Sequence, residues 1–228
     1  MSLDRIVSTD GASTDGLASP IAGLHVTPTA PLPFLSGFVV KSFVLERKQG
    51  NAIVYNSPGV TAAARDILDL GRPSRLLVNH WHEALYPAPR LDLPIFVHEH
   101  DRAQIERSLP VAGTFTGRGM IDDDIEVIPA PGHTAGSTMF LWKCGAHRFL
   151  FPGDTIWIQD GQWKVAVLGE SNRAAYLDSL ALIRDVDFDV LVPWGSEQNA
   201  PHVDIVSRSQ VQERIGQIIA RVRNGANQ

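Results

Sequence analysis

The sequence predicts a layered fold of β-sheets covered by helices, of the α/β or α+β kind. Two features predict it: short β-rich runs fill both halves of the chain, and helical patterns interrupt and close them. Size adds a third, since 228 residues that are 44% hydrophobic suffice for one large domain. No repeat and no Gly/Ser linker divides the chain. Residues 1–20 are rich in Ser, Thr, Asp and Gly, so the expected division is a loose lead-in over 1–20 and a single domain over 21–228.

Leu24 to Thr27 and Phe38 to Leu45 are apolar and β-branched enough to predict strands. Gln49-Gly50-Asn51 reads as a hairpin turn leading into a strand at Asn51–Tyr55. Ala62–Leu70 predicts a helix, closed by Gly71 with Pro73 just beyond. Arg75–Val78 and Pro94–Val97 are short apolar runs, and Asp101 is the expected N-cap of a helix that follows. Ile125–Ile128, Met139–Trp142 and Arg148–Phe151 predict strands. Asn172–Ile183 predicts a helix with Tyr176, Leu180 and Ile183 on one face, and Phe188–Val192 a mostly buried strand. Val211, Ile215, Ile218, Ile219 and Val222 recur at helical spacing and predict an amphipathic terminal helix.

Charged residues make up 20% of the chain and the net charge is −5. No basic run supplies the electrostatic footprint of a nucleic-acid binder, so none is expected as partner. No apolar run reaches the ~18 residues of a membrane span, and the N-terminus has no basic-then-apolar signal pattern. The single cysteine, Cys144, excludes an internal disulfide and fits a reducing compartment. These features together predict a cytoplasmic protein. Cys144 lies on a strand-end turn and receives no role.

Four short motifs carry the candidate chemistry. They are His80-Trp81-His82, Pro131-Gly132-His133-Thr134, Gly153-Asp154 and Val192-Pro193-Trp194-Gly195. In an extended segment, residues two apart point to the same side, so His80 and His82 could approach one ion from the end of the Arg75–Val78 strand. The pair alone is weak, because His98-Glu99-His100 repeats the pattern at another strand end, where no metal is expected. His133 is more specific. Pro131, Gly132 and Gly136 constrain its turn, and Thr134 and Ser137 can bind backbone or the second ring nitrogen. Three imidazoles and an open position form a competent catalytic zinc arrangement.

In this order the motifs resemble the metallo-β-lactamase superfamily, which carries His-x-His-x-Asp-His, Pro-Gly-His-Thr, Gly-Asp and Pro-Gly-His-Gly. The resemblance runs from about Gly23 to Gly195. It implies an α+β, four-layer αβ/βα sandwich with metals at the sheet edges. It also implies His80, His82, His133 and Asp154 as ligands of one divalent ion, zinc or alternatively iron. Asp154, the family's bridging carboxylate, would bind the metal or hold its water, and is the candidate catalytic residue. Ala84, Leu85 and Gly195 stand where the family has Asp, His and His, so no tight second metal is expected, with Leu85 filling its place. Glu83 points away if the strand continues and toward the site if the chain turns. His202 could loop back, or lie in a loop of its own. Trp81, Trp157 and Trp194 could wall a pocket or pack in the core.

Three functions compete at this level. One is a mononuclear metallo-hydrolase acting on a small-molecule ester, thioester or amide. Another is a non-catalytic binding protein on a decayed site. The last is an iron persulfide dioxygenase-like enzyme using His80, His133 and Asp154.

Overall fold

A computed structural model describes residues 16–228. Most of the expected lead-in lies outside the described residues. The expected boundary at 20/21 falls inside an edge strand, Ala18–Ile21, which pairs with Leu24–Val26.

Three sheets form. The first runs in the order Ala18–Ile21, Leu24–Val26, Phe43–Leu45, Ala52–Val54, Arg75–Leu77, Ile95–His98 and Val111–Phe115. The second runs Gly119–Ile121, Ile125–Pro129, Thr138–Cys144, His147–Phe151, Val190–Leu191 and Asp204–Ile205. The third runs Gln162–Lys164, Trp157–Gln159, Gly195–Glu197, Phe38–Val40 and Ala30–Pro31. Both larger sheets mix parallel and antiparallel pairs.

Among the described residues five α-helices cover them: α1 (Pro58–Ala62), α2 (Ala64–Leu70), α3 (Glu99–Ile105), α4 (Arg173–Asp185) and α5 (Arg208–Arg223). The burial pattern explains the layering. Val44, Ile53, Leu76, Ile95 and Val97 face helices on one side, packing with Val60, Ile67 and Ile105. Phe43, Val54, Leu77, Phe140, Trp142, Phe149 and Phe151 meet between the sheets. Ile128, Met139, Leu150 and Leu191 face Tyr176, Leu180, Ile215 and Ile218 of the last two helices. The strands are buried on both faces, which requires near-continuous apolar runs. The result is the α+β, four-layer αβ/βα sandwich.

The apolar run Phe38–Leu45 is two strands rather than one. Phe38–Val40 belongs to the third sheet and Phe43–Leu45 to the first. The chain changes sheet at Lys41 and Ser42, both buried. Lys41 Nζ donates to Ser196 Oγ at 2.6 Å, and burial lowers its pKa to about 7. Asp101 is not an N-cap. His98 caps α3, its Nδ1 accepting from His100 N, while Asp101 sits inside the helix and points elsewhere. Among the described residues no helix is long and apolar enough to cross a membrane.

Candidate metal centre

His80 leaves the end of the Arg75–Leu77 strand in extended conformation, but the chain then turns at once into a one-turn 3₁₀ helix, Trp81–Leu85. The two histidines therefore converge through a turn and not through strand alternation. The turn also brings Glu83 in. Its carboxylate is fully buried and accepts from Asn79 N at 2.7 Å and Asn56 N at 2.6 Å. Its Oε1 lies 3.6 Å from His80 Nδ1. Of the two courses open to Glu83, the chain takes the turned one.

His133 comes from the second half of the chain. Gly132 before it has φ +141°, and a Cβ there would stand 2.4 Å from Tyr176 Cα, so only glycine fits. Asp154 lies in a one-turn 3₁₀ helix, Gly153–Thr155, after the His147–Phe151 strand. Gly153 has φ +59°, and a Cβ would fall 1.9 Å from Asn79 Oδ1. The Gly153-Asp154 pair is thus the contact by which one ligand turn packs on the other.

These elements bring His80, His82, His133 and Asp154 together. One ligand atom from each lies within 4.8 Å of all the others, a set able to hold a metal ion. His82 Nδ1 is 2.8 Å from His133 Nε2. Asp154 Oδ2 is 3.4 Å from His80 Nε2 and 3.7 Å from His133 Nε2. Two of the imidazoles are also hydrogen-bonded from outside. His80 Nδ1 donates to Asn79 Oδ1 at 3.1 Å, and His133 Nδ1 donates to the Ala166 carbonyl at 2.7 Å. His82 Nε2 lies 3.5 Å from the Glu170 carboxylate. Such outer partners select the tautomer that turns the other nitrogen's lone pair inward. His80 Nε2 is buried with no hydrogen-bond partner, which suits a ligand atom facing a cation.

The charges are strongly coupled. Burial pushes His80 down, but Asp154 and Glu83 outweigh it and raise its pKa to about 10. Burial, then the charge on His80, lowers His82 to about 3 and also lowers His133. Burial would raise Asp154, but His80 above all holds it at about 2. These shifts favour the carboxylate form of Asp154 and the neutral form of His82 and His133.

Behind the cluster, Asp101 ties the two histidine turns together. Its carboxylate accepts from Trp81 N at 3.0 Å, Thr134 Oγ1 at 2.6 Å and Gly136 N at 2.8 Å. Tyr176 does the same for the other pair of loops, accepting from Ala166 N and donating to the Thr155 carbonyl. Nothing local in the sequence signals Asp101, Glu170 or Tyr176 as site residues.

The substituted positions lie apart. Ala84 packs among apolar side chains under the helices, and Leu85 is 48% exposed. Leu85 therefore does not fill a second metal position as expected. Gly195 shares a cavity wall with Asp154, Trp157 and Trp194, while Trp81 packs on His82 with ring centroids 4.0 Å apart. His202 is not among the clustered residues. Its Nδ1 is buried without a partner, and burial, then Lys41, lowers its pKa to about 4.

Comparison with known proteins agrees with this fold. Residues 45–195 match the sequence family described as the Metallo-beta-lactamase superfamily. No curated protein matches. A metallo-beta-lactamase from Hirschia baltica superposes with TM-score 0.67 at 13% identity, covering 91% of this chain and 98% of that one. The metallo-beta-lactamase GOB-18 from Elizabethkingia meningoseptica gives TM-score 0.63 at 12% identity and 93% coverage of both chains. A metallo-beta-lactamase family protein from Thermus thermophilus gives 0.64 at 16% identity, covering 90% of this chain and 81% of that one.

Proposed function

We propose that this chain, which belongs to the metallo-β-lactamase superfamily, is a metal-dependent hydrolase of small-molecule esters or thioesters. One divalent ion, zinc by the chemistry of the donors, would be held by His80 Nε2, His82 Nδ1, His133 Nε2 and Asp154 Oδ2. The observation that carries this reading is the convergence of one ligand atom from each of the four residues within 4.8 Å, with the outward nitrogens of His80 and His133 already hydrogen-bonded. A divalent ion in such a set polarises a carbonyl oxygen and makes water a competent nucleophile near neutral pH.

The protein's own groups supply the rest. Asp154 stays ionised and accepts a hydrogen bond from the attacking water, which orients it. His80 is fixed by Asn79 and Glu83, His133 by Ala166, and His82 by Glu170. Ala84 brings no carboxylate and Gly195 no imidazole. With no second cation to stabilise a leaving nitrogen, thioesters and activated esters ask less of the site than lactams do.

Elemental analysis of protein purified without added metal tests the reading, together with an assay on thioesters, aryl esters and lactams. About one zinc per chain and turnover of thioesters or aryl esters ahead of lactams is the expected result. Absence of both metal and turnover would favour the non-catalytic binding reading. An iron dioxygenase would use two histidines and a carboxylate; the inward Nδ1 of His82, 2.8 Å from His133 Nε2, adds a third imidazole and favours hydrolysis.

A further inference from the structure

Beside Asp154 the structure opens a cavity of about 220 Å³. Its walls are apolar: Phe38, Val40, Trp157, Val165, Val167 and Trp194. At its mouth Phe34, Leu35 and Leu168 stand exposed at 74%, 39% and 42%. Large apolar side chains left in water around one opening mark a surface built for an apolar ligand. Gly195 is what keeps the space free: a Cβ there would meet only the Val39 carbonyl, at 3.9 Å. Among the described residues the lining is polar only at Asp154 and at Asn227 and Gln228, so Asp154 marks a reactive end of an otherwise apolar cavity.

We propose that this cavity receives the acyl group of the substrate, an unbranched or aryl-bearing chain of medium length. The proposal rests on the hydrolase reading above. Size sets the length. An apolar cavity of about 150 Å³ accommodates benzene, so 220 Å³ suits roughly six to eight carbons on the same scale. Polarity decides which half of the ester enters. In hydrolysis the water oxygen joins the acyl carbon while the carbon–sulfur or carbon–oxygen bond breaks. One water proton ends on the departing sulfur or oxygen, and the other leaves with the acid product. A departing heteroatom needs a proton and a polar route out, which the apolar end lacks. His82 and the half-exposed Glu170 are not part of the cavity wall and offer polar atoms beside the cluster instead. The hydrocarbon acyl group therefore lies inward and the leaving group outward.

The test separates this proposal from the hydrolase reading. Neutral n-alkanamides from two to twelve carbons are titrated into metal-free protein, following the change in tryptophan emission to which Trp157 and Trp194 on the cavity wall contribute. The dissociation constant should fall about three- to fourfold per methylene, the gain for burying one, and level off near eight carbons. Gly195→Leu, which narrows the cavity, and Leu168→Glu, which charges its mouth, should each weaken octanamide binding about tenfold or more. Zinc content should stay at the wild-type value in both. Thioesters of the same lengths, assayed with metal-loaded protein, should follow the same slope in kcat/KM. Turnover without chain-length dependence would overturn the acyl cavity and leave the hydrolase standing. Amide binding with the predicted slope but no turnover of any thioester would keep the cavity and overturn the hydrolase. Absence of amide binding would overturn the cavity.

Discussion

Replacing Asp101 by Asn should loosen the metal centre without touching any of its ligands. The carboxylate receives three donors, from Trp81 N, Thr134 Oγ1 and Gly136 N. An asparagine offers one acceptor oxygen. If that oxygen keeps Trp81 N and Thr134 Oγ1, the amide N–H groups face Gly136 N–H, donor against donor. One charge-assisted hydrogen bond is lost, worth about 1.5–3 kcal/mol, and a buried donor is stranded, at about 1–3 kcal/mol. The two losses overlap, so the net cost is about 2–4 kcal/mol, a large part of the roughly 5–15 kcal/mol that holds a domain folded. The same change frees the His80–His82 turn from the His133 turn. Zinc affinity should fall about tenfold, the lower end for loss of an outer partner. Urea unfolding of chelator-treated protein gives the first quantity, and competition against a chromophoric chelator gives the second. If Asp101→Asn unfolds within about 0.5 kcal/mol of wild type, the range of neutral surface changes, and binds zinc equally well, the clamp does not matter.

His133→Ala should abolish most zinc binding, because two imidazoles and a carboxylate hold the ion far more weakly; unchanged metal content would refute its assignment as a ligand. Gly132→Ala should destabilise by about 2 kcal/mol or more through backbone strain and overpacking, since its Cβ would meet Tyr176 at φ +141°; an unshifted thermal midpoint would contradict the turn described. Lys41 has its pKa lowered to about 7 from 10.5 when folded. The unfolded chain therefore binds the extra proton between those values. Lys41 opposes folding most below about pH 7, and stability rises with pH through that window, by about 1.4 kcal/mol per pH unit at most. Lys41→Met should be more stable than wild type at pH 7 and lose that rise, as urea unfolding from pH 6.5 to 9.5 would reveal; an unchanged slope would mean the ammonium is not desolvated.

The fold and the four ligand candidates are legible in the sequence because their signals are local. The apolar stripe from Val211 to Val222 needs a helix whatever surrounds it, and Pro131-Gly132-His133-Thr134 encodes its own turn. The supports are not legible, because they exist only after docking. Asp101 stands near a helix start, where any Asp reads as a cap, yet its partners are 20 to 35 positions away. Glu83 has two courses in the sequence, and only the 3₁₀ turn selects one. Lys41 hides inside an apolar run that reads as one strand, although a lone cation between Val40 and Phe43 is the available hint of a change of sheet. Leu85 stands at a motif position that is not a spatial one; in the 3₁₀ turn it faces solvent.

Tyr55 sits at the seam of the sandwich. Its hydroxyl accepts from Gly153 N and donates to the Val192 carbonyl, each at 2.9 Å, while its amide bonds the Leu77 carbonyl on its own sheet. Beside it, the Asn79 carbonyl accepts from Thr138 N. His80 and His82 lie on the first side of this seam, His133 and Asp154 on the second. An ion held by all four would act as a reversible cross-link between halves that fold from different stretches of chain. The ligand set cannot assemble before the halves dock, so an ion would favour docking rather than the closure of either half. At a free concentration of 100 times its dissociation constant it would add about 3 kcal/mol to that step. Withdrawing it should first quicken amide exchange along the seam, at Thr138 and Gly153, with the helices untouched.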